Sequence, residues 1–385
     1  MNTNYFYIQL SENTNATITI TRTNGHLSTS DLSYSNDGEN FTQCVFNNDV
    51  CSIPFSSKVY FRSSTGLSKM INAGLFVWHT INCDKNHIIG GDVRTLIDYT
   101  NDNLNTTPAA CFYKLFQNDI YLTSAKLANF SGFTTLSEGC YRYMFNGCSS
   151  LIQSPILPAT NLANRCYDEM FASCSSLTEI STLPATTLAE DCYSYMYAGC
   201  SSLTTVLNLP ATTLSDGCYS GMFQNCTSLT TAPTLPATTV VGNAYSHMFD
   251  GCISLTSSPA LPATTVSTTS YEGMFCGCIS LTTAPTLPAT SLDFMTYYEM
   301  FKNCTSLVTA PTLPNITTGM MACQHVFEGC ISLINITSYV TNWDTGIFGS
   351  WLDGVAATGT FHNLGGATIP TGTSGIPSGW TVVNN

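Results

Sequence analysis

Apolar residues recur along this chain with a 26-residue period. Cysteine stands at Cys148, Cys174, Cys200, Cys226, Cys252, Cys278, Cys304 and Cys330, each step being 26 residues. Leucine keeps phase at Leu151, Leu177, Leu203, Leu229, Leu255, Leu281, Leu307 and Leu333. A ring keeps phase at Phe145, Phe171, Tyr197, Phe223, Phe249, Phe275, Phe301 and Phe327. Self-similarity at a fixed period marks stacked repeats, because one unit cannot bury its apolar face alone and does so against its neighbours. No insertion interrupts these eight coils, and FYKLFQNDIYL (112–122) fits the frame as a worn first coil without its cysteine.

Two patterns are legible inside a coil. Leu188, Cys192, Tyr193, Met196, Tyr197 and Cys200 are spaced as one face of a helix. Ahead of that segment stand Asn161, Thr187, Thr213, Thr239, Thr265, Ser291 and Thr317, all residues that cap helix N-termini. It ends at Gly147, Ser173, Gly199, Asn225, Gly251, Gly277, Asn303 or Gly329, where Gly and Asn suit the left-handed cap. The second half, such as LTTAPTLP from Leu281, reads as extended. Its prolines cannot donate to a ladder, so any strand is short. The expectation is one short strand and one helical segment per coil, with parallel strands about 4.8 Å apart.

Charge narrows the function classes. There are 24 acidic residues against 11 basic ones, net −13, which leaves no basic cluster for a nucleic-acid backbone. No run of about 18 apolar residues occurs, so no membrane span is expected. The N-terminus lacks the basic and apolar regions of an export signal, which predicts that the chain does not leave its cell by ordinary secretion.

Eighteen cysteines require a reading. A second column at Cys140, Cys166, Cys192 and Cys218 continues as Ala244, Ser270 and Thr296 while the main column persists, so the main column needs no partner. Buried free thiols are the expectation there. Cys44 and Cys51 are the candidate disulfide pair, with free thiols the favoured alternative. His247 and His325 share a coil position but lie three coils, roughly 14 Å, apart at the strand spacing, too far to share a metal. His79 and His87 near Asp84 and Asp92 form the densest titratable cluster and read as a polar loop of a β-domain. No catalytic, cofactor or metal residue is expected, and the chain reads as a non-enzyme.

The coil MFxxCxSLTTAPxLPATTL resembles the BspA-like leucine-rich repeats over about 112–340. LSYSNDGENFTQC and KVYFRSS are similar to the small β-domain that often precedes such arrays, and the tail from Asn342 to the array's usual ending. The resemblance implies an α/β repeat solenoid, with an N-terminal β-rich domain (1–110), the repeats (111–340) and a C-terminal cap (341–385). The β-domain should cover the first coil near Phe112, and Trp343, Trp351 and Trp380 the last. Relatives of this make-up are adhesion-type surface proteins of gut Bacteroidales, or fibre and tail-associated proteins of their bacteriophages. The missing export signal favours the virion, with a bacterial cell-surface adhesin as the alternative. Implied partners are other virion proteins and a host-surface glycan or protein, with a trimer as a possible homo-oligomer.

Contact is expected along the strand face. Leu235, Leu287 and Leu313 recur with the buried columns, so strand alternation turns their predecessors outward. Those are Ile156, Thr182, Asn208, Thr234, Ala260, Thr286, Thr312 and Ser338. Thr182, Asn208, Thr234, Thr286 and Thr312 are the candidate binding residues, a small, uncharged, hydroxyl-rich strip; the competing reading is ordinary solvated strand threonine.

Overall fold

The computed structural model describes residues 4–22, 32–63, 69–72, 75–77, 79–98, 100–101, 103–316, 318–372 and 375–384. Thr317 of the expected caps and Ser64 of KVYFRSS lie outside them. The chain divides into two compact units, one of 1–185 with 199–202, the other of 186–198 with 203–385.

Unit 1 begins with strands whose in-out alternation buries Phe6, Ile8, Ile18, Ile20, Ile53, Val59, Phe61, Ile81 and Ile89. They are β1 (Phe6–Leu10), β2 (Ala16–Arg22), β3 (Ser33–Ser35), β4 (Thr42–Gln43), β5 (Val50–Phe55), β6 (Lys58–Arg62), β7 (Lys69–Asn72), β8 (Leu75–Val77), β9 (His79–Cys83) and β10 (His87–Asp92). A helical turn, α1 (Thr95–Asp98), precedes β11 (Leu122–Asn129). One sheet has the order β11-β10-β1-β6-β3-β4 and a second β5-β2-β9, while β7 and β8 pair as a hairpin. LSYSNDGENFTQC forms the β3–β4 hairpin. β11 belongs to the worn first coil and runs parallel to β10, so the β-domain sheet continues into the repeat. Phe6 packs on Phe116 of the first coil with ring centroids 6.0 Å apart, while Phe112 stacks on Tyr141 of the next coil.

Among the described residues of the coils the expected helical segment is absent. Residues 139–148 form overlapping turns. The N–H groups of Arg142, Met144, Asn146 and Cys148 bond three residues back, to Gly139, Tyr141, Tyr143 and Phe145. Those of Tyr141, Tyr143, Phe145 and Gly147 instead reach Cys166, Asp168, Met170 and Ala172 of the next coil at 2.8–3.0 Å. An α-helix would spend every N–H within itself, leaving none for stacking. The turns need a left-handed residue at every fourth position, met at Gly139, Tyr143 and Gly147 (φ 59°, 57° and 77°). The buried pairs therefore recur every 4 residues rather than 3.6, which over two turns imitates a helix face. The expected C-caps do adopt the left-handed conformation, from Asn225 at φ 57° to Gly147 at φ 77°. The expected N-caps pair between coils instead: Thr135 with Asn161, Thr187 with Thr213, and Thr239 with Thr265.

Strands in the coils shrink to single bridges such as Gln153↔Glu179 and Thr231↔Ser257, plus β12 (Thr239–Val240) against β13 (Thr265–Val266). The prolines that follow each bridge stop the ladder. On the turn flank, rings stack in register. Phe116, Phe145 and Phe171 follow at 5.6 and 5.4 Å in unit 1. In unit 2, Tyr197, Phe223, Phe249, Phe275, Phe301 and Phe327 follow at 5.6–5.8 Å. These steps exceed the strand spacing expected for the coils.

Unit 2 ends in β14 (Asn335–Ser338), the helical turn α2 (Thr345–Phe348), β15 (Gly359–Asn363) and β16 (Trp380–Asn384). The tail adds a further coil: Phe327 N–H donates to the Trp351 carbonyl at 3.0 Å. Trp351 is fully buried beside Phe327, Trp343 and Phe361, and Trp380 is nearly so. Here the register slips by one residue. Thr309 bridges Asn335, but Leu313 bridges Ser338. A one-residue slip exchanges the faces of a strand, so Ser338 is buried and Tyr339 exposed, against the expectation for both.

Candidate functional site

The strand flank presents the predicted strip outward. From Pro233 to Ala237 residues alternate buried and exposed, with Leu235 inside and Thr234 outside. Leu287 and Leu313 are likewise buried, and Thr286 and Thr312 exposed. Asn208 is exposed in the same column of unit 2, and its Oδ1 lies 3.5 Å from Thr234 N, at the limit of a hydrogen bond. In unit 1, Thr182 is exposed and follows Ile156, which is 67% exposed. Ala260 completes the column. In unit 2 the strip carries no charge. In unit 1 the neighbouring bridge position holds Glu179, which accepts from Lys126 Nζ at 3.0 Å and Gln153 Nε2 at 2.9 Å. Some threonines are held by the stack itself: Thr230 and Thr282 hydroxyls donate to the Thr204 and Thr256 carbonyls one coil earlier.

Titratable groups of the repeats gather on the turn flank. His247 Nδ1 lies 3.3 Å from Asp250, and His325 Nδ1 lies 2.6 Å from Glu328, each histidine engaging an acid of its own coil. Asp250 raises the His247 pKa against burial. Lys302 bridges Glu299 and Glu328 at 2.9 and 3.4 Å. In unit 1, Arg142 pairs with Asp168 at 2.7 Å.

The His79, His87, Asp84 and Asp92 cluster does not converge. Asp84 is exposed and accepts from Thr17 N–H at 2.8 Å, while Asp92 binds Arg94 at 2.6 Å. His79 is buried against Phe46. His87, fully buried, instead meets Asp119 of the first coil, its Nε2 3.4 Å from the carboxylate. Asp119 also accepts from Cys83 N–H at 3.3 Å and Tyr121 N–H at 3.2 Å. Burial alone would lower the His87 pKa, but Asp119 and Cys83 overcome it and raise it to about 10. Asp119 was invisible as a partner in the sequence, because only the β10–β11 pairing brings the worn coil to His87.

The main-column thiols are buried and free, each donating to a carbonyl of the preceding coil, from Cys148 to Phe116 O at 3.0 Å through Cys330 to Phe301 O at 3.0 Å. Burial pushes the Cys200 and Cys330 thiols up to about 12. Cys44 and Cys51 do form a disulfide, against the favoured reading of free thiols. The Asn47↔Val50 bridge folds the intervening segment back and brings their Cα atoms to 6.3 Å. No helix among the described residues is long and apolar enough to cross a membrane.

Residues 113–245 and 193–351 match the BspA type leucine rich repeat region, in six copies. No curated protein matches the chain. Among solved structures, a leucine-rich repeat protein from Bacteroides ovatus ATCC 8483 is similar at 18% identity, covering 74% of this chain and 90% of that one. Its TM-score is 0.26, too low to bear on the fold.

Proposed function

Because the chain belongs to the BspA-type leucine-rich-repeat family, we propose that it is an adhesion protein rather than an enzyme, and that the strand flank of its coils is the contact surface. The observation that carries this reading is the exposed, uncharged strip of Asn208, Thr234, Thr286 and Thr312 in unit 2, repeated at Thr182 in unit 1. Hydroxyl and amide groups at regular coil spacing suit a flat partner rich in hydroxyls or main-chain amides, such as a surface polysaccharide or a protein edge. An anionic polymer gains nothing from a strip whose own residues include no base. The turn flank is a poorer candidate, because its charged groups already pair with one another.

The adhesive role fits either carrier implied by the resemblance, a phage virion or a bacterial cell surface. Immunogold labelling of purified virus particles and of whole cells separates the two. Binding of the full chain to an array of neutral and acidic glycans tests the adhesive role. Retention on neutral polysaccharides supports it. Failure to bind any glycan, together with failure to bind host cells, contradicts it.

A further inference from the structure

Two turns of the β-domain in unit 1 meet where β1 lies beside β10. Residues 11–15 carry the chain from β1 in one sheet to β2 in the other, and residues 84–86 carry it back from β9 to β10. Tyr121 joins them from the worn first coil, one residue before β11. Main-chain bonds tie these three segments together. Ser11 N–H donates to the Asn86 carbonyl at 3.0 Å, and His87 N–H to the Tyr121 carbonyl at 3.1 Å. The buried His87 and Asp119 add one bond on each side. His87 Nδ1 meets the Lys85 carbonyl at 3.0 Å, and Asp119 accepts from Tyr121 N–H at 3.2 Å. Supports of this kind hold side chains ready for a ligand.

The segments enclose a cleft of about 270 Å³, lined by Glu12, Thr14, Asp84, Lys85, Asn86 and Tyr121. Asp84 also lines a second cleft of about 580 Å³, with Asn15, Asn36 and Ser56, so the two adjoin. In the first cleft the Glu12 and Asp84 carboxylates accept, the Lys85 ammonium and the Asn86 amide donate, and the Thr14 hydroxyl does both. Among the described residues the side chains of Glu12, Thr14, Lys85 and Asn86 have no hydrogen bond or ion pair. Asp84 Oδ1 is held by Thr17 N–H at 2.8 Å, which leaves Oδ2 to accept from a ligand. Beside these groups lies the Tyr121 ring, 41% exposed. It offers an apolar face with a polar tip.

We propose that these adjoining clefts are a saccharide-binding site, taking a neutral hexose against Tyr121 and the next unit of the same glycan beyond Asp84. A matching ligand must donate and accept from neighbouring atoms and still present a C–H face. The hydroxyls and ring carbons of a pyranose do both. Two carboxylates against one ammonium disfavour an anionic sugar. The first cleft falls just below the ~300–1,000 Å³ of pockets for drug-sized ligands, which suits a single sugar ring. The second cleft continues with amides and a hydroxyl for its neighbour. This site lies in the β-domain and does not rest on the strand flank being a contact surface.

The test is saturation-transfer NMR of the full chain with lactose, maltose and cellobiose up to about 10 mM, a range that reaches weak binding. Sialyllactose is the acidic counterpart. The expected result is binding of at least one neutral disaccharide, with sialyllactose no tighter. Tyr121→Ala and Asn86→Ala should each weaken that binding about tenfold, the worth of one ring contact or hydrogen bond. Both side chains are exposed, so melting temperatures should not change; were Tyr121→Ala to unfold, Asn86→Ala decides alone. Thr234, Thr286 and Thr312 changed together to Lys should bind as wild type does, which separates this site from the strand flank. No binding of any neutral disaccharide, tighter binding of sialyllactose, a folded Tyr121→Ala or Asn86→Ala variant that binds as wild type, or binding lost in the strand-flank variant would each overturn the proposal.

Discussion

The two flanks of a coil meet the same stacking requirement in different ways. On the turn flank every second N–H is committed to the next coil, rings lie on rings, and thiols donate to carbonyls, all with little or no solvent exposure. On the strand flank main-chain pairing is reduced to single bridges, and every second side chain points outward. Cohesion is therefore concentrated on one flank, and the other can change its side chains at small cost. Under the proposed function, the face offered to a partner is not the face that holds the coils together.

The largest expected effect comes from cutting the ring ladder. Phe249 lies between Phe223 and Phe275, at 5.8 and 5.7 Å, and is fully buried. Phe249→Ala should cost about 3–5 kcal/mol in a denaturant titration. A loss no larger than that of a strand-flank threonine would erase the contrast between the flanks.

The junction of the β-domain with the first coil should be similarly sensitive. His87→Met leaves the buried Asp119 carboxylate without its partner, a change worth about 3–5 kcal/mol. The histidine pKa is raised on folding, so its stabilisation is complete below the ordinary value of about 6.5 and fades as pH rises through about 10. The gap in melting temperature between wild type and His87→Met should narrow across that window. A gap that widens with rising pH would assign the stabilisation to another group.

Backbone conformation gives a smaller effect. Gly277 has φ 69°, and a Cβ there would meet nothing closer than 3.7 Å, so Gly277→Ala tests the left-handed requirement without a clash. The cost should be about 1–2 kcal/mol. Stabilisation by alanine would point to a helix after all.

Smallest of all is the effect expected on the thiols. Alkylation followed by mass spectrometry of the folded, unreduced protein should find the Cys148-to-Cys330 column unoxidised and unlabelled. Systematic bridges between coils would contradict the observed thiol-to-carbonyl contacts.

Much of this contrast was legible from residues alone. Columns of Leu, Cys and aromatic residues named the buried set, and alternation about Leu235 named the outward one. The turns were misread as helix because buried pairs at Cys140–Tyr141 and Met144–Phe145 have nearly the spacing of a helix face. The telling signal was the strict four-residue step, together with Gly139 and Gly147 placed four residues either side of Tyr143. Ser338 was misplaced because the one-residue slip in the last coil depends on the Leu313 pairing. The His87–Asp119 contact depends on which strand the worn coil joins, and no local pattern records that choice.

In the proposed function the strand flank binds while the turn flank holds. Thr234, Thr286 and Thr312 changed together to Lys put charge along the strip and touch no buried group. Melting temperature and adhesion to host cells should be measured on the same preparation. The expected result is a melting temperature close to wild type with a loss of adhesion. Full adhesion with an intact fold would contradict it and place the contact surface elsewhere.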